Sequence, residues 1–151
     1  MEYTKLEHFF KLGNNLFDTR YNEAPHWKSF NLVSDSKESP MLKHFPYIKD
    51  WFTQITKWNS LKNINHCYLS VLAPRQQIPW HSDMQREGFN KVFITSLFTQ
   101  DSLIQFKEDR RYRYKQGYSY ALQTATEHRI VNMSDSYRFT LCITPEENPY
   151  V

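Results

Sequence analysis

The sequence predicts a mainly β protein, an antiparallel sandwich or barrel core with N-terminal helices packed on one side. Two observations predict it. From residue 64 onward, eight short stretches of strand character follow one another, separated by turn residues. Ahead of them lies one stretch whose apolar residues recur at helical spacing, which gives it a face broad enough to cover a sheet. The composition agrees: of 151 residues, 40% are hydrophobic and 17% aromatic against 23% charged, a globular balance. That length suits one domain, a partly helical lead-in over residues 1–63 and a β-core over 64–144.

Element by element, TKLEHFFKL carries Leu6, Phe9 and Phe10 at helical spacing, and HWKSFNLV reads as a short strand. A clearer helix is expected after Ser39-Pro40, a cap followed by a first-turn proline. Its apolar face would comprise Ile48, Trp51, Phe52, Ile55 and Trp58. The strands then follow as INHCYLSVLA, QQIPWHSD, KVFITSLF, SLIQFKE, RRYRYK, YSYALQ, HRIVN and YRFTLCI.

Several function classes are excluded. Only three glycines are present, so phosphate-cradling glycine loops have no material to form from. A net charge of +3 implies no obligate polyanionic partner. The two cysteines, Cys67 and Cys142, have no metal-knuckle spacing and read as reduced, buried small residues. The N-terminal stretch lacks a signal-peptide core and no apolar run approaches a membrane span, so a cytoplasmic protein is expected.

The chemistry lies in IPWHSDM. In an extended strand residues i and i+2 point the same way, so His81 and Asp83 direct an imidazole nitrogen and a carboxylate oxygen at one point. A 2-His-1-carboxylate site needs one more histidine, and His128 in ATEHRIVN stands in a strand of its own. HRIVN and YRFTLCI flank the polar turn Met133-Ser134-Asp135, which predicts a hairpin with His128 directly across from Arg138. Arginine clamps a carboxylate through parallel charge-assisted hydrogen bonds. Three facial ligands leave Fe(II) open to a chelating 2-oxo acid and dioxygen, with Arg138 on the distal carboxylate. That set describes 2-oxoglutarate.

These residues carry a resemblance. The segment from Asn65 to Ile143 resembles the aspartyl/asparaginyl β-hydroxylase-like branch of the Fe(II)/2-oxoglutarate-dependent oxygenases, whose core is a double-stranded β-helix of jelly-roll or cupin-like form. LSVLAPRQQIPWHSD is similar to the family's approach to its first histidine. KQGYSYALQTATEHRIVNMSDSYRFTLCI is similar to its closing segment, with Gly117, His128 and Arg138 on matching positions. The resemblance implies His81, Asp83 and His128 as iron ligands, and Arg138 assisted by Ser70 as the 2-oxoglutarate site. Some members of the branch lack the carboxylate ligand, and Asp83 makes the full triad the expectation here. The family's Arg-x-His in the next strand is replaced by Lys91-Val92-Phe93, where Lys91 keeps the charge and Phe93 cannot replace the histidine. Gln123 and Thr124 stand where acidic residues often precede the second histidine.

The expected function is a hydroxylase acting on an amino acid or peptidyl side chain, with 2-oxoglutarate and dioxygen as co-reactants. Its rivals are a zinc-binding or non-catalytic cupin-like metal protein and a single-stranded nucleic-acid module built on KEDRRYRYK. The blander reading of that stretch is an edge strand with one arginine face and one half-buried tyrosine face. Trp80 reads as core or site wall, and His8, His26, His44 and His66 as ordinary histidines.

Overall fold

Strand burial sorts the chain into layers. VFITSLF and RFTLCITP are buried almost throughout, the mark of strands covered on both faces, whereas SLIQF and HRIVN alternate buried and half-buried, the mark of a sheet with one face in water. The computed structural model describes residues 27–43, 46–59, 64–83 and 92–145. Its elements are β1 (Trp27–Ser34), β2 (Lys37–Glu38), a 3-10 turn (Pro40–Lys43), α1 (Pro46–Trp58), β3 (Ile64–Leu72), β4 (Gln77–His81), β5 (Val92–Phe98), β6 (Ser102–Phe106), β7 (Arg111–Arg113), β8 (Ser119–Leu122), β9 (His128–Asn132) and β10 (Arg138–Pro145). Each of the eight expected strands is present as one of β3 to β10.

The strands form a six-stranded sheet, β2-β1-β3-β10-β5-β8, and a four-stranded sheet, β4-β9-β6-β7. All pairs are antiparallel, and they nest: β3 with β10, β4 with β9, β5 with β8, β6 with β7. One long hairpin centred on β6 and β7 is thus wound back and forth between two sheets, which is a double-stranded β-helix. Strands distant in sequence become neighbours in each turn of the winding.

Two cores result. The outer face of the larger sheet packs Phe30, Leu32, Leu69, Phe139 and Leu141 against Ile48 and Ile55 of α1. Between the sheets, Leu72, Ile78, Ile94, Ile104, Phe106, Ile130 and Cys142 form the second. Cys67 and Cys142 are free and buried, as expected.

Three expectations are corrected. The helix begins at Pro46 rather than after Ser39-Pro40, where a single 3-10 turn forms instead; proline at a first helical position holds, but at the other proline. Trp58 is 57% exposed, because at 100° per residue it stands about 80° from the direction of Ile48, off the buried stripe. Asn59 ends the helix: its side chain donates to the Ile55 carbonyl (2.9 Å) and to Ser119 Oγ (3.2 Å), tying α1 to β8. The third correction matters most. His128 and Arg138 are not hairpin partners: β9 and β10 lie in different sheets, and the polar turn between them is a crossover.

The expected helix at TKLEHFFKL, His8, His26, His44, Lys91 and the Phe52 side chain lie outside what is described. Among the described residues no helix is long and apolar enough to cross a membrane.

Candidate metal centre

The nesting of β4 with β9 sets His81 directly opposite His128. A bulge in β4 makes this pairing work. Ile78 faces the space between the sheets, and strict alternation would send Trp80 inward and His81 out. The register shift between Ile78 and His81 inserts one residue and reverses the phase. His81 therefore turns in, and Trp80 turns out, where Lys107 and Arg129 lie over its ring at 5.4 and 5.3 Å. Trp80 is neither core nor site wall. Pro79 is tolerated because β4 is an edge strand.

Asp83 follows two residues on. Its backbone N–H donates to the Thr124 carbonyl (3.0 Å), and the buried Thr124 side chain also bonds its carboxylate. One carboxylate oxygen lies 3.3 Å from His81 Nε2 and the other 3.8 Å from His128 Nε2, and the histidine rings are 4.4 Å apart. Among the described residues these three form the one group able to hold a metal ion, each offering a ligand atom within 4.8 Å of the others.

The side chains are prepared as ligands. His81 Nδ1 donates to the Pro79 carbonyl and His128 Nδ1 to the Thr126 carbonyl, both at 2.7 Å. A carbonyl only accepts, so the proton sits on Nδ1 and the Nε2 lone pair faces the centre. Burial holds the His128 pKa below its usual value, which favours the neutral, ligating form. Burial pushes the Asp83 carboxyl up, but the neighbouring His81 and His128 rings in their protonated forms, with a bond from Thr124, outweigh it, and the net shift is downward. Metal–ligand bonds of about 2.0–2.2 Å require neighbouring donor atoms about 3–3.5 Å apart. The observed 3.3 and 3.8 Å need little adjustment, so the residues fit a divalent transition metal.

Arg138 reaches the same space from the other sheet. Along β10, Phe139, Leu141 and Ile143 face the helix side, so Arg138, Thr140 and Cys142 face inward. The Arg138 side chain is 1% exposed and its Nη2 donates to Ser70 Oγ at 3.1 Å. Nε and Nη1 are buried with no partner. No carboxylate among the described residues pairs with this cation, and burial lowers its pKa from the ordinary guanidinium value. Ser70 also accepts from the Trp27 indole N–H (3.3 Å), and the Trp27 ring lies 6.0 Å from that of His81. Arginine, serine, tryptophan and first histidine are thus linked across the fold.

Of the residues named from sequence, His81, Asp83 and His128 stand together and Arg138 is bonded to Ser70 on the facing sheet, while Lys91 lies outside the described residues. Trp27, Thr124 and Asn132 were missed. Asn132, 1% exposed, donates to the carbonyls of Leu72, Ala73 and Ser136, and its Oδ1 accepts from Ser134 N and Oγ. It locks the turn that leads to His81 onto the crossover that leads to Arg138. The run Asn132-x-Ser134-x-Ser136 was the available signal, since such side chains bond nearby backbone. On β5, Phe93 packs in the helix-side core, so the faces open to the site carry Val92 and Ile94 instead. Arg111 and Arg113 are exposed on edge strand β7 with Tyr112 half-buried, the blander of the two readings of that stretch. Both arginines pair with acids, Asp109 and Asp101.

Among solved structures, this chain is similar to a cupin domain from Bordetella pertussis (18% identity, 54% of this chain and 80% of that one, TM-score 0.44). It is also similar to an HTH_3 family transcriptional regulator from Vibrio cholerae (13%, 93% and 63%, TM-score 0.54) and to the polyketide cyclase RemF from Streptomyces resistomycificus (12%, 86% and 72%, TM-score 0.48). Comparison with curated proteins gave no match. The family model described as Aspartyl/Asparaginyl beta-hydroxylase matches residues 1–147, nearly the whole sequence, and with a double-stranded β-helix that brings His81, Asp83 and His128 together, the chain belongs to the aspartyl/asparaginyl β-hydroxylase family.

Proposed function

We propose that this protein is an Fe(II)- and 2-oxoglutarate-dependent oxygenase that hydroxylates an amino acid or a peptidyl side chain. The observation that carries the reading is Arg138: a fully buried cation with two unpartnered nitrogens, on the inward face of the sheet opposite the one that carries His81 and His128. An uncompensated buried charge is costly, and a ligand carboxylate is the partner that relieves it. A 2-oxo acid with a second, distal carboxylate reaches metal and arginine together.

His81 and His128 would hold the metal through Nε2 and Asp83 through its carboxylate, with Thr124 steadying Asp83. When bound there, Fe(II) supplies the chemistry by which dioxygen and 2-oxoglutarate convert a substrate C–H to C–OH, releasing succinate and CO2. The protein's own residues bind and orient. Arg138, braced by Ser70, holds the distal carboxylate, and the apolar surfaces of Leu72, Ile94 and Ile130 keep the space between the sheets dry. The prime substrate enters from the half-exposed side of His81 and Asp83.

Anaerobic addition of Fe(II) and 2-oxoglutarate to the metal-free protein tests this. The expected result is the weak visible band of a metal-chelated 2-oxo acid. His128→Ala abolishes it, and Arg138→Met requires roughly 30-fold more 2-oxoglutarate, the effect of removing one partner of a buried charge pair. Metal binding without a band would favour a zinc or non-catalytic metal protein. No metal binding at all would reduce the triad to a polar cluster.

A further inference from the structure

Arg138 is not the one buried donor left without a partner. The Tyr114 hydroxyl is buried and unbonded as well. Tyr114 is the second tyrosine of the RRYRYK stretch, whose arginines and lysine are exposed, and it is 4% exposed in the core between the sheets. Its ring centroid lies 5.6 Å from the Arg138 guanidinium carbon. The cation thus lies over this ring, and its two unpartnered nitrogens and the unpartnered phenol hydroxyl are all buried between the sheets.

The tyrosine is held in place by its neighbours. Its N–H donates to the Ser102 carbonyl at 2.9 Å. The hydroxyl of Tyr120 donates to the Arg113 carbonyl and accepts from the Lys115 N–H, so the residues on either side of Tyr114 are pinned to one group. The two rings meet edge to face at 5.8 Å and 81°. Tyr120 thus uses its hydroxyl in the structure, while the Tyr114 hydroxyl is pre-placed and unused. The surrounding inner face is polar in the same place. Ser29, Ser70, Thr140 and Ser96 are paired side by side across four strands, all buried, and Ser96 Oγ too has no partner. A buried phenol with no base nearby stays protonated, so at neutral pH it is a donor.

We propose that the Tyr114 hydroxyl donates a hydrogen bond to the same distal carboxylate that Arg138 binds, which makes Tyr114 a determinant of selection for a dicarboxylic over a monocarboxylic 2-oxo acid. The proposal rests on the 2-oxoglutarate reading above and adds a residue to it. A guanidinium alone attracts any anion, whereas a neutral donor at a fixed angle to the arginine defines where the carboxylate ends.

The test is equilibrium binding by calorimetry with redox-inert Mn(II) in the metal site, comparing 2-oxoglutarate with 2-oxopentanoate, which has a methyl in place of the distal carboxylate. Tyr114→Phe is expected to weaken 2-oxoglutarate roughly tenfold, the loss of one hydrogen bond to a charged group. Binding of 2-oxopentanoate and of Mn(II) stays unchanged. The melting temperature of the ligand-free variant should equal or exceed that of the parent, because the hydroxyl removed has no partner to lose. An unchanged 2-oxoglutarate affinity would overturn the proposal. Equal weakening of both 2-oxo acids, or a lowered melting temperature, would make Tyr114 a structural residue and overturn it too. Mn(II) binding without any 2-oxoglutarate binding to the parent protein would instead overturn the cosubstrate reading, and this proposal with it.

Discussion

On the proposed reading, Arg138 separates ligand binding from stability within a single side chain. Structural arginines are retained because carboxylates or carbonyls use their five donors. This one gives a single bond, to Ser70, and leaves two buried nitrogens unpartnered. Its burial therefore costs the ligand-free protein free energy. Arg138→Met fills similar volume without the charge. It is expected to leave thermal stability of the ligand-free protein unchanged or higher while weakening 2-oxoglutarate binding by the same factor of roughly 30. A fall in stability of several kcal/mol, measured by chemical denaturation, would show instead that the guanidinium serves the fold. The residue chemistry here was legible from sequence, since imidazole, carboxylate and guanidinium have few joint uses. Trp27 was not, because an indole seated on Ser70 leaves no local signal.

At the scale of elements, one inserted residue decides the site. Without the β4 bulge, His81 would face solvent and Trp80 would fill the space between the sheets. No pattern in QQIPWHSD announces it: the alternation reads equally well in either phase, and only pairing with β9 selects one. Asn132 is the second device. It satisfies three carbonyls at the end of β3 and in the crossover between β9 and β10, so Asn132→Ala strands buried acceptors at both. A loss of about 2–3 kcal/mol is expected from denaturant unfolding, together with weaker metal binding, because both segments it joins lead to site residues. A loss below about 0.5 kcal/mol would show that water replaces the amide without cost. Ser134 and Ser136, its partners, lie in the turn taken from sequence to be a hairpin.

For the whole molecule, the candidate metal site joins β4 and β9 with the Asp83 segment. A metal bound only by the folded chain stabilises it by mass action, about 2.7 kcal/mol at a hundredfold excess over the dissociation constant. For a chain of this length that is roughly a 5–10 °C rise in melting temperature. Mn(II) is expected to produce it in the parent and in Arg138→Met, and not in His128→Ala. A rise that persists in His128→Ala would place the metal elsewhere. What the amino-acid sequence determined by itself was local: eight strands with their spacing, the helix ahead of them, and a set of side chains with one joint chemistry. These follow from two-residue and 3.6-residue periodicity and from the identity of donor groups, both readable within a dozen residues. Only the tertiary structure decided which strands touch. Winding the long hairpin between two sheets separates β9 from β10, adjacent in sequence, and joins β3 to β10 and β4 to β9 across the length of the core. His128 therefore meets His81 rather than Arg138 in its sheet, and Arg138 meets the site from the opposite wall. The physical reason is that pairing partners are chosen by burying two faces of one sheet and one face of the other, a condition that no stretch of a single strand contains.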